Sequence, residues 1–161
     1  MKPSKSLPTI MSLLLLTVVG AYSQQIIVQE NSSDPVILSA ADIGSLPHTT
    51  VKVSGPDGTK VFSGVLVATV LKKANVGSGQ ALKGKRLASC LVVEAADGYR
   101  VVIALPELDP EFTDKQILLA DERDGKPLDD KEGSYRIIVP DEKKMARWVR
   151  QVKTLKIVDV Q

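Results

Sequence analysis

The stretch Phe62-Ser63-Gly64-Val65, followed closely by Val70-Leu71-Lys72-Lys73-Ala74, begins a series of short segments that decides the fold of this chain. The later segments come in a definite order toward the C-terminus. They are Asp97-Gly98-Tyr99, Ile117-Leu118-Leu119-Ala120, Asp124-Gly125-Lys126-Pro127-Leu128, Gly133 with Tyr135-Arg136-Ile137-Ile138-Val139-Pro140, and Arg147-Trp148-Val149. Each segment is short, so their order and spacing are more informative than any single one.

Together these segments resemble the molybdopterin-binding oxidoreductase domain, the sulfite-oxidase-type fold built around a molybdenum cofactor. The resemblance extends over roughly residues 36–160. It implies a single α+β domain, mixed but mainly β, with short peripheral helices. Fold alone does not establish chemistry, because one scaffold can host unrelated functions.

Local patterns in the chain also predict many short strands, tight turns and few helices. The predicted strands cover residues 36–38, 49–54, 59–62, 86–95, 99–105, 116–121, 135–139 and 155–160. Gly64 is expected to break the strand before it. A short helix begins at Ser39 and ends by Gly44, and a second covers residues 66–74. Residues 141–152 predict a third helix, with an irregular connection as the alternative because the apolar face is thin.

The N-terminus has the pattern of an export signal over residues 1–23. Lys2 and Lys5 precede an apolar run over residues 10–19, and Ala21-Tyr22-Ser23 forms a small-x-small cleavage motif. The apolar run is shorter than the roughly 20 residues that span a bilayer. We therefore expect cleavage after Ser23 and a periplasmic or secreted protein without a membrane segment. Residues 24–35 are predicted to be an N-terminal tail or marginal strand, and residues 36–161 the domain.

Charge and composition exclude some classes of partner. The chain has 21 basic and 19 acidic residues, and Lys2 and Lys5 are the only charged residues before Gln24, so the remainder is balanced. A balanced domain has no general field to attract nucleic acid or an anionic membrane.

The export signal contains no twin arginine. An unfolded-chain export route would not carry a preassembled cofactor.

The resemblance also indicates where a metal ligand should lie. The family holds molybdenum through one cysteine thiolate, located shortly before the stretch that corresponds to Phe62-Ser63-Gly64-Val65. Here that region is Val51-Lys52-Val53-Ser54-Gly55-Pro56-Asp57-Gly58, and Ser54 or a neighbour takes the place of the thiol. No metal ligand is predicted, and a cofactor is not expected. Molybdopterin is the cofactor implied if the chain is active.

Cys90 is the only cysteine and cannot form a disulfide within the chain. Its neighbours in the predicted strand 86–95 are mostly apolar. We expect it to be buried and chemically quiet, because a free cysteine ordinarily packs as a small hydrophobe. The alternative is a disulfide between two chains, which requires the strand to expose the Cys90 thiol.

Three residues are candidates for binding the cofactor by resemblance: Tyr99, Arg136 and Arg147. A guanidinium could hold a phosphate in a forked pair. The alternatives are a turn-packing role for Tyr99 and ordinary solvated positions for both arginines. Trp148 is expected to anchor the last helix on the core.

Other catalytic sets are not found in the sequence. His48 is the only histidine, and no Gly-x-Ser-x-Gly motif is present. No catalytic residue is therefore predicted. The first hypothesis is a non-catalytic module that binds a small ligand or another exported protein. The alternatives are an active molybdenum-cofactor oxidoreductase, or a subunit of one, and an adhesion or envelope-structural module.

Overall fold

A computed structural model describes residues 24–55, 58–77 and 79–160 of the chain. The proposed export signal and the turn at residues 56–57 lie outside the described residues. Ten strands are described, with two short α-helices. They are β1 (Gln25–Glu30), β2 (Val36–Ser39), α1 (Ala40–Gly44), β3 (His48–Gly55), β4 (Gly58–Leu66), α2 (Val67–Lys73), β5 (Cys90–Ala95), β6 (Arg100–Ala104), β7 (Leu118–Arg123), β8 (Lys126–Pro127), β9 (Arg136–Ile138) and β10 (Val152–Val158).

The strands form two sheets. The first has the order β2-β1-β10-β5-β6, in which β1 and β10 are parallel and the other pairs antiparallel. The second has the order β3-β4-β7-β8, and β9 also pairs with β7. The predicted α+β, mainly β class with short peripheral helices is confirmed.

A single hydrophobic core lies between the sheets. Alternate residues of β1, β5 and β10 are buried, as expected for strands with one covered face. Leu118, Leu119 and Ala120 of β7 are all buried, so this strand is covered on both faces. The largest fully buried side chain is Phe62 in β4. Aliphatic side chains therefore supply most of the core.

Local sequence explains the short helix α1. Ser39 caps it by accepting a hydrogen bond from the Asp42 amide, and the Asp42 carboxylate accepts one from the Ser39 amide. This reciprocal pair is a capping box. The hydrogen bonds from the Ser39 hydroxyl and amide lower the pKa of Asp42.

Segment 24–35 is more than a tail. Its strand β1 lies between β2 and β10, with Ile26 and Val28 in the core. The marginal strand that the sequence left open is therefore an interior strand of the first sheet. It joins the two ends of the described chain.

Several predicted boundaries are wrong. Gly64 does not end a strand, because β4 continues to Leu66. Residues Gly84–Ala88 form a 3₁₀ turn, so β5 begins only at Cys90. The helix predicted over 141–152 is replaced by an irregular connection with one 3₁₀ turn, Met145–Arg147, and β10 begins at Val152.

Candidate functional site

The β3–β4 hairpin places Ser54 at the tip of the second sheet. Ser54 pairs with Thr59 across the hairpin, and the two hydroxyl oxygens lie 3.2 Å apart. The Ser54 side chain is exposed, as the alternation of β3 requires. The hydroxyl is therefore a hairpin surface group that is hydrogen-bonded to its neighbour.

A small hollow lies beside this hairpin tip. Its volume is about 30 Å³, which is enough for about one water molecule. The hollow is lined by Val53, Gly55, Gly58, Lys60, Phe62, Met145 and Trp148. We call it the hairpin hollow.

The segment after β9 forms one wall of the hairpin hollow. A Cβ atom added to Gly55 would lie 3.4 Å from the Met145 Cε, so the methionine covers this glycine. Trp148 is buried, and its Nε1–H donates a 2.8 Å hydrogen bond to the Val139 carbonyl. Its ring meets Phe62 edge to face, with centroids 5.8 Å apart. Trp148 thus anchors this segment on the core, although the segment is not a helix.

Arg136 lies beneath the same aromatic rings. Its guanidinium carbon is 5.2 Å from the Phe62 centroid and 5.7 Å from the Trp148 centroid. It forms an ion pair with the buried carboxylate of Glu132, which also contacts Arg123 at 2.7 Å. Burial lowers the pKa of the Arg136 guanidinium, and Glu132 opposes that shift. Arg136 is therefore neither a solvated surface base nor a free cation.

Arg147 is also fully engaged. Its Nη1 lies 3.2 Å from Glu107 and its Nε donates to Glu142 at 2.7 Å. The hydrogen bonds that Arg147 donates to Glu107 and Glu142 raise the pKa of Arg147. Partial burial raises the pKa of Glu107, but hydrogen bonds from Arg147 and Lys115 outweigh it and set the pKa at about 2. Arg147 therefore sits between two carboxylates.

Tyr99 lies on the far side of the segment Met145–Arg147. Its hydroxyl donates a 2.7 Å hydrogen bond to the Ala146 carbonyl, and half of the residue is exposed. The Arg147 Nη1 contacts the Val102 carbonyl of β6 at 3.4 Å. The structure thus brings Tyr99 and Arg147 together along β6, and Arg136 lies under the hairpin hollow.

Cys90 belongs to a different region. It is the first residue of β5, in register with Ala104 and Val158 of the first sheet. The thiol is free and only partly buried, so the expectation of a buried cysteine is wrong. Burial alternates along β5, and Cys90 lies on the face that is only partly buried. Cys90 does not line the hairpin hollow.

Two acidic residues and Met145 were missed by sequence reasoning. Glu132 precedes Arg136 by four residues, a spacing that is visible in the sequence. Glu107 is 40 residues from Arg147 and gave no such indication. Met145 gave no indication either, because it lies in a stretch predicted as a helix.

Comparison with known proteins agrees with this architecture. The family model described as the oxidoreductase molybdopterin binding domain matches residues 19–161. The chain belongs to this family. Its fold is similar to that in the crystal structure of the sulfane dehydrogenase SoxCD from Paracoccus pantotrophus, with a TM-score of 0.65 and 17% identity. That match covers 84% of this chain and 38% of the SoxCD chain. No curated protein matches the chain.

Membership of the molybdopterin-binding family implies a specific cofactor, so the fit of the residues can be tested. A pocket for a ligand of that size measures about 300–1,000 Å³. The hairpin hollow of about 30 Å³ is far smaller. Both nearby arginines already pair with carboxylates. In this arrangement the residues around the hairpin hollow do not fit a molybdopterin group.

Larger depressions lie elsewhere on the molecule. One of about 460 Å³ lies between α2 and residues 108–117, and Lys72, Glu111 and Lys115 line it.

Within the described residues, no three or more His, Cys, Asp and Glu side chains are grouped to hold a metal ion. In the same part of the chain, no helix is long and apolar enough to cross a membrane.

Proposed function

We propose that this domain is a non-catalytic binding module that takes a small ligand or another exported protein in place of a metal cofactor. The observation that carries the proposal is the small size of the hairpin hollow. It lies beside the hairpin on which Ser54 or a neighbour takes the position that the resemblance gives to the thiolate. Thiolate sulfur is a soft ligand, and a neutral serine hydroxyl is a poor substitute. The site therefore lacks its metal-holding group.

The charges beside the hollow support the same proposal. Arg136 and Arg147 would be the groups that hold a cofactor phosphate. Each is instead paired with a carboxylate of this chain. A phosphate could enter only by displacing Glu132 or Glu107, which would leave a partly buried acid without its partner.

A protein partner is supported by exposed apolar groups beside the segment Met145–Arg147. Tyr99, Val102 and Met145 are each about half exposed. Contiguous exposed apolar groups often mark interaction surfaces. The proposed location is outside the cytoplasm, either periplasmic or secreted, and it rests on the pattern of residues 1–23.

Elemental analysis tests the proposal. The full chain is expressed in a bacterial host that synthesises molybdopterin, and the purified protein is assayed for molybdenum and for released pterin. We expect both to be far below one equivalent per chain. One molybdenum per chain, with the visible absorption of a dithiolene complex, would refute the proposal.

A matched variant shows whether the missing thiol is decisive. Ser54→Cys supplies sulfur at the hairpin, and Ser63→Cys supplies it in β4, away from the tip. Because the hairpin hollow is small and its cations are paired, we expect neither variant to acquire molybdenum. Molybdenum in Ser54→Cys alone would show that the fold still accepts the cofactor and lacks only the ligand.

The alternative function is an active molybdenum-cofactor oxidoreductase or a subunit of one. It is favoured by the family match over residues 19–161. The chain spans 38% of the SoxCD chain. Under this alternative, a second polypeptide could complete the pocket. Copurification of stoichiometric pterin with a protein partner would favour it over the module that binds without catalysis.

A further inference from the structure

We propose that Met145 is an oxidation site whose conversion to the sulfoxide releases the segment 142–148 from the β3–β4 hairpin. The proposal goes beyond the binding function and does not require the hairpin hollow to hold a ligand. It rests on the position of the thioether, on its exposure, and on the chemistry of the surrounding surface.

Met145 is one of the contacts between two parts of the fold, beside the Trp148–Phe62 ring contact. It is the first residue of the 3₁₀ turn after β9, and its methyl group covers Gly55 of β3. With Phe62 and Trp148 it lines the hairpin hollow. The side chain thus joins the C-terminal segment to the hairpin tip.

The Met145 residue is also accessible to a small oxidant. Met145 is 51% exposed, and the hollow that it lines opens at the surface. Met145 is the only methionine after residue 23, since the others are Met1 and Met11. Any methionine chemistry in the described part of the chain therefore occurs at this site.

The oxidant that we propose is hydrogen peroxide, a two-electron oxygen donor. One peroxide oxygen is transferred to the thioether sulfur, a sulfur–oxygen bond forms, and the peroxide oxygen–oxygen bond breaks. The sulfur is oxidised to the sulfoxide, the peroxide is reduced, and water leaves. The product is a polar, chiral side chain in place of a flexible apolar one.

The hairpin hollow is poorly suited to that product. Val53, Phe62 and Trp148 line it with apolar atoms, and there is room for about one water molecule. A buried acceptor without a donor is unfavourable. Lys60 is the one charged residue in the lining. We expect the sulfoxide to turn toward solvent, because water can then hydrate its oxygen. A hydrogen bond with Lys60 inside the hollow is not needed.

The release is expected to be local. On the other side of Met145, Arg147 is held by Glu107 and Glu142, and Ala146 accepts a hydrogen bond from Tyr99. The contacts with Tyr99, Glu107 and the Val102 carbonyl of β6 keep the segment in place on that side. Oxidation should therefore open the hairpin hollow and expose one face of Trp148 without unfolding the domain.

Tryptophan fluorescence tests the proposal, because Trp148 is the only tryptophan. The full chain and Met145→Leu are treated with hydrogen peroxide, both with Cys90→Ser to remove thiol oxidation. Peptide mass mapping measures oxygen gain at Met145. We expect a red shift of the emission in the Met145 protein, together with unchanged circular dichroism. Met145→Leu should gain no oxygen at any methionine after residue 23 and should show no shift of the emission.

A second variant makes the test independent of the oxidant. Met145→Gln places a polar group of similar length at the site and should show the red shift without peroxide. Oxidised Met145 with unshifted emission would overturn the proposal, as would a shift of equal size in Met145→Leu. An unshifted Met145→Gln with native circular dichroism would overturn it as well, since Lys60 would then be able to satisfy the polar group.

Discussion

The Arg136 guanidinium lies against two aromatic rings and one carboxylate, and these contacts replace water on almost every side. Its Nε has no hydrogen-bond partner within the described residues. Stacking on an aromatic ring contributes about 0.5–2 kcal/mol. The ion pair with Glu132 provides the charge balance that allows the arginine to stay buried.

Glu132→Gln removes that charge balance at nearly constant volume. We expect the free energy of unfolding to fall by about 3 kcal/mol, because breaking a buried pair leaves an uncompensated charge. Urea unfolding measures it as a lower midpoint with an unchanged slope.

Asp130→Asn is the matched control for Glu132→Gln. Asp130 lies in the same loop and is exposed, so its substitution should change stability by less than about 0.5 kcal/mol. Equal midpoints for the two variants would show that Glu132 does not balance the charge of Arg136.

Residue-level sequence reasoning identified positions but not their partners. Arg136 and Arg147 came from the resemblance. Arg147 lies in the segment that forms one wall of the hairpin hollow, and Arg136 packs on the Trp148 ring of that segment. The acids that pair with them were not foreseen, because Glu107 meets Arg147 only through the packing of distant segments. A cofactor-binding role for Tyr99, Arg136 and Arg147 stays a prediction.

At the scale of elements, Gly64 sets how closely β4 approaches β7. A Cβ atom at this position would lie 2.5 Å from the Ala120 Cα and closer still to the Leu119 carbonyl oxygen. The strand pairing is irregular between Ser63 and Gly64. The sequence predicts a strand break at Gly64, whereas in the structure the glycine permits a close approach of two backbones.

Gly64→Ala should therefore force β4 and β7 apart. We expect a loss of at least about 2 kcal/mol in unfolding free energy, because the obstacle is backbone that no side-chain rotation can relieve. Thermal unfolding monitored by circular dichroism measures this loss. Gly44→Ala is the control, since nothing lies within 4 Å of a Cβ there. If the two variants melted together, the close approach would not limit stability.

His48 joins the start of β3 to β7. Its Nδ1 lies 3.0 Å from the Leu46 carbonyl oxygen, and its Nε2 lies 3.0 Å from the Asp121 carboxylate. Both partners are acceptors, so only the protonated ring donates to both. The hydrogen bond with Asp121, aided by the nearby charge of Glu122, raises the pKa of His48 above its ordinary value despite partial burial.

This raised pKa gives a pH dependence with a definite sign. The folded state binds the proton more tightly, so the stabilisation is complete below about pH 6 and is lost as pH rises through the folded-state pKa. We expect the wild-type protein to have a higher urea midpoint than His48→Gln at about pH 5.5. The difference between the two midpoints should be smaller at about pH 8.5. A difference that does not vary with pH would contradict the proposed ion pair.

The connection between β9 and β10 shows where element prediction failed. Residues 141–152 have helical composition, yet Asp141 and Gln151 adopt left-handed backbone angles of 66° and 51°. Tertiary contacts of Arg147 and Trp148 replace the hydrogen bonds that a helix would make. The alternative of an irregular connection, which rested on the thin apolar face, is the one that the structure confirms.

For the whole molecule, the order of short motifs was the decisive information. It predicted the fold correctly because the motifs lie on strands and turns of both sheets and on α2, from β4 to the segment before β10. It did not reveal that β1 pairs with β10, where Ile27 lies opposite Thr154. A six-residue strand whose partner is at the other end of the chain leaves little local pattern.

The pairing of β1 with β10 gives the prediction for the whole domain. Ile26 and Val28 are buried in β1, and each such side chain contributes about 1.5–3 kcal/mol. Deleting β1 removes both side chains from the core and also removes the strand pairing with β2 and β10. The stabilisation lost is comparable to the free energy of unfolding of a typical domain, about 5–15 kcal/mol. A chain beginning at Asn31 should therefore lose cooperative unfolding, whereas one beginning at Gln24 should keep the midpoint of the full chain. Urea denaturation of the three proteins distinguishes a strand that the fold requires from a dispensable tail, and equal midpoints for all three would mean that β1 contributes little to the fold.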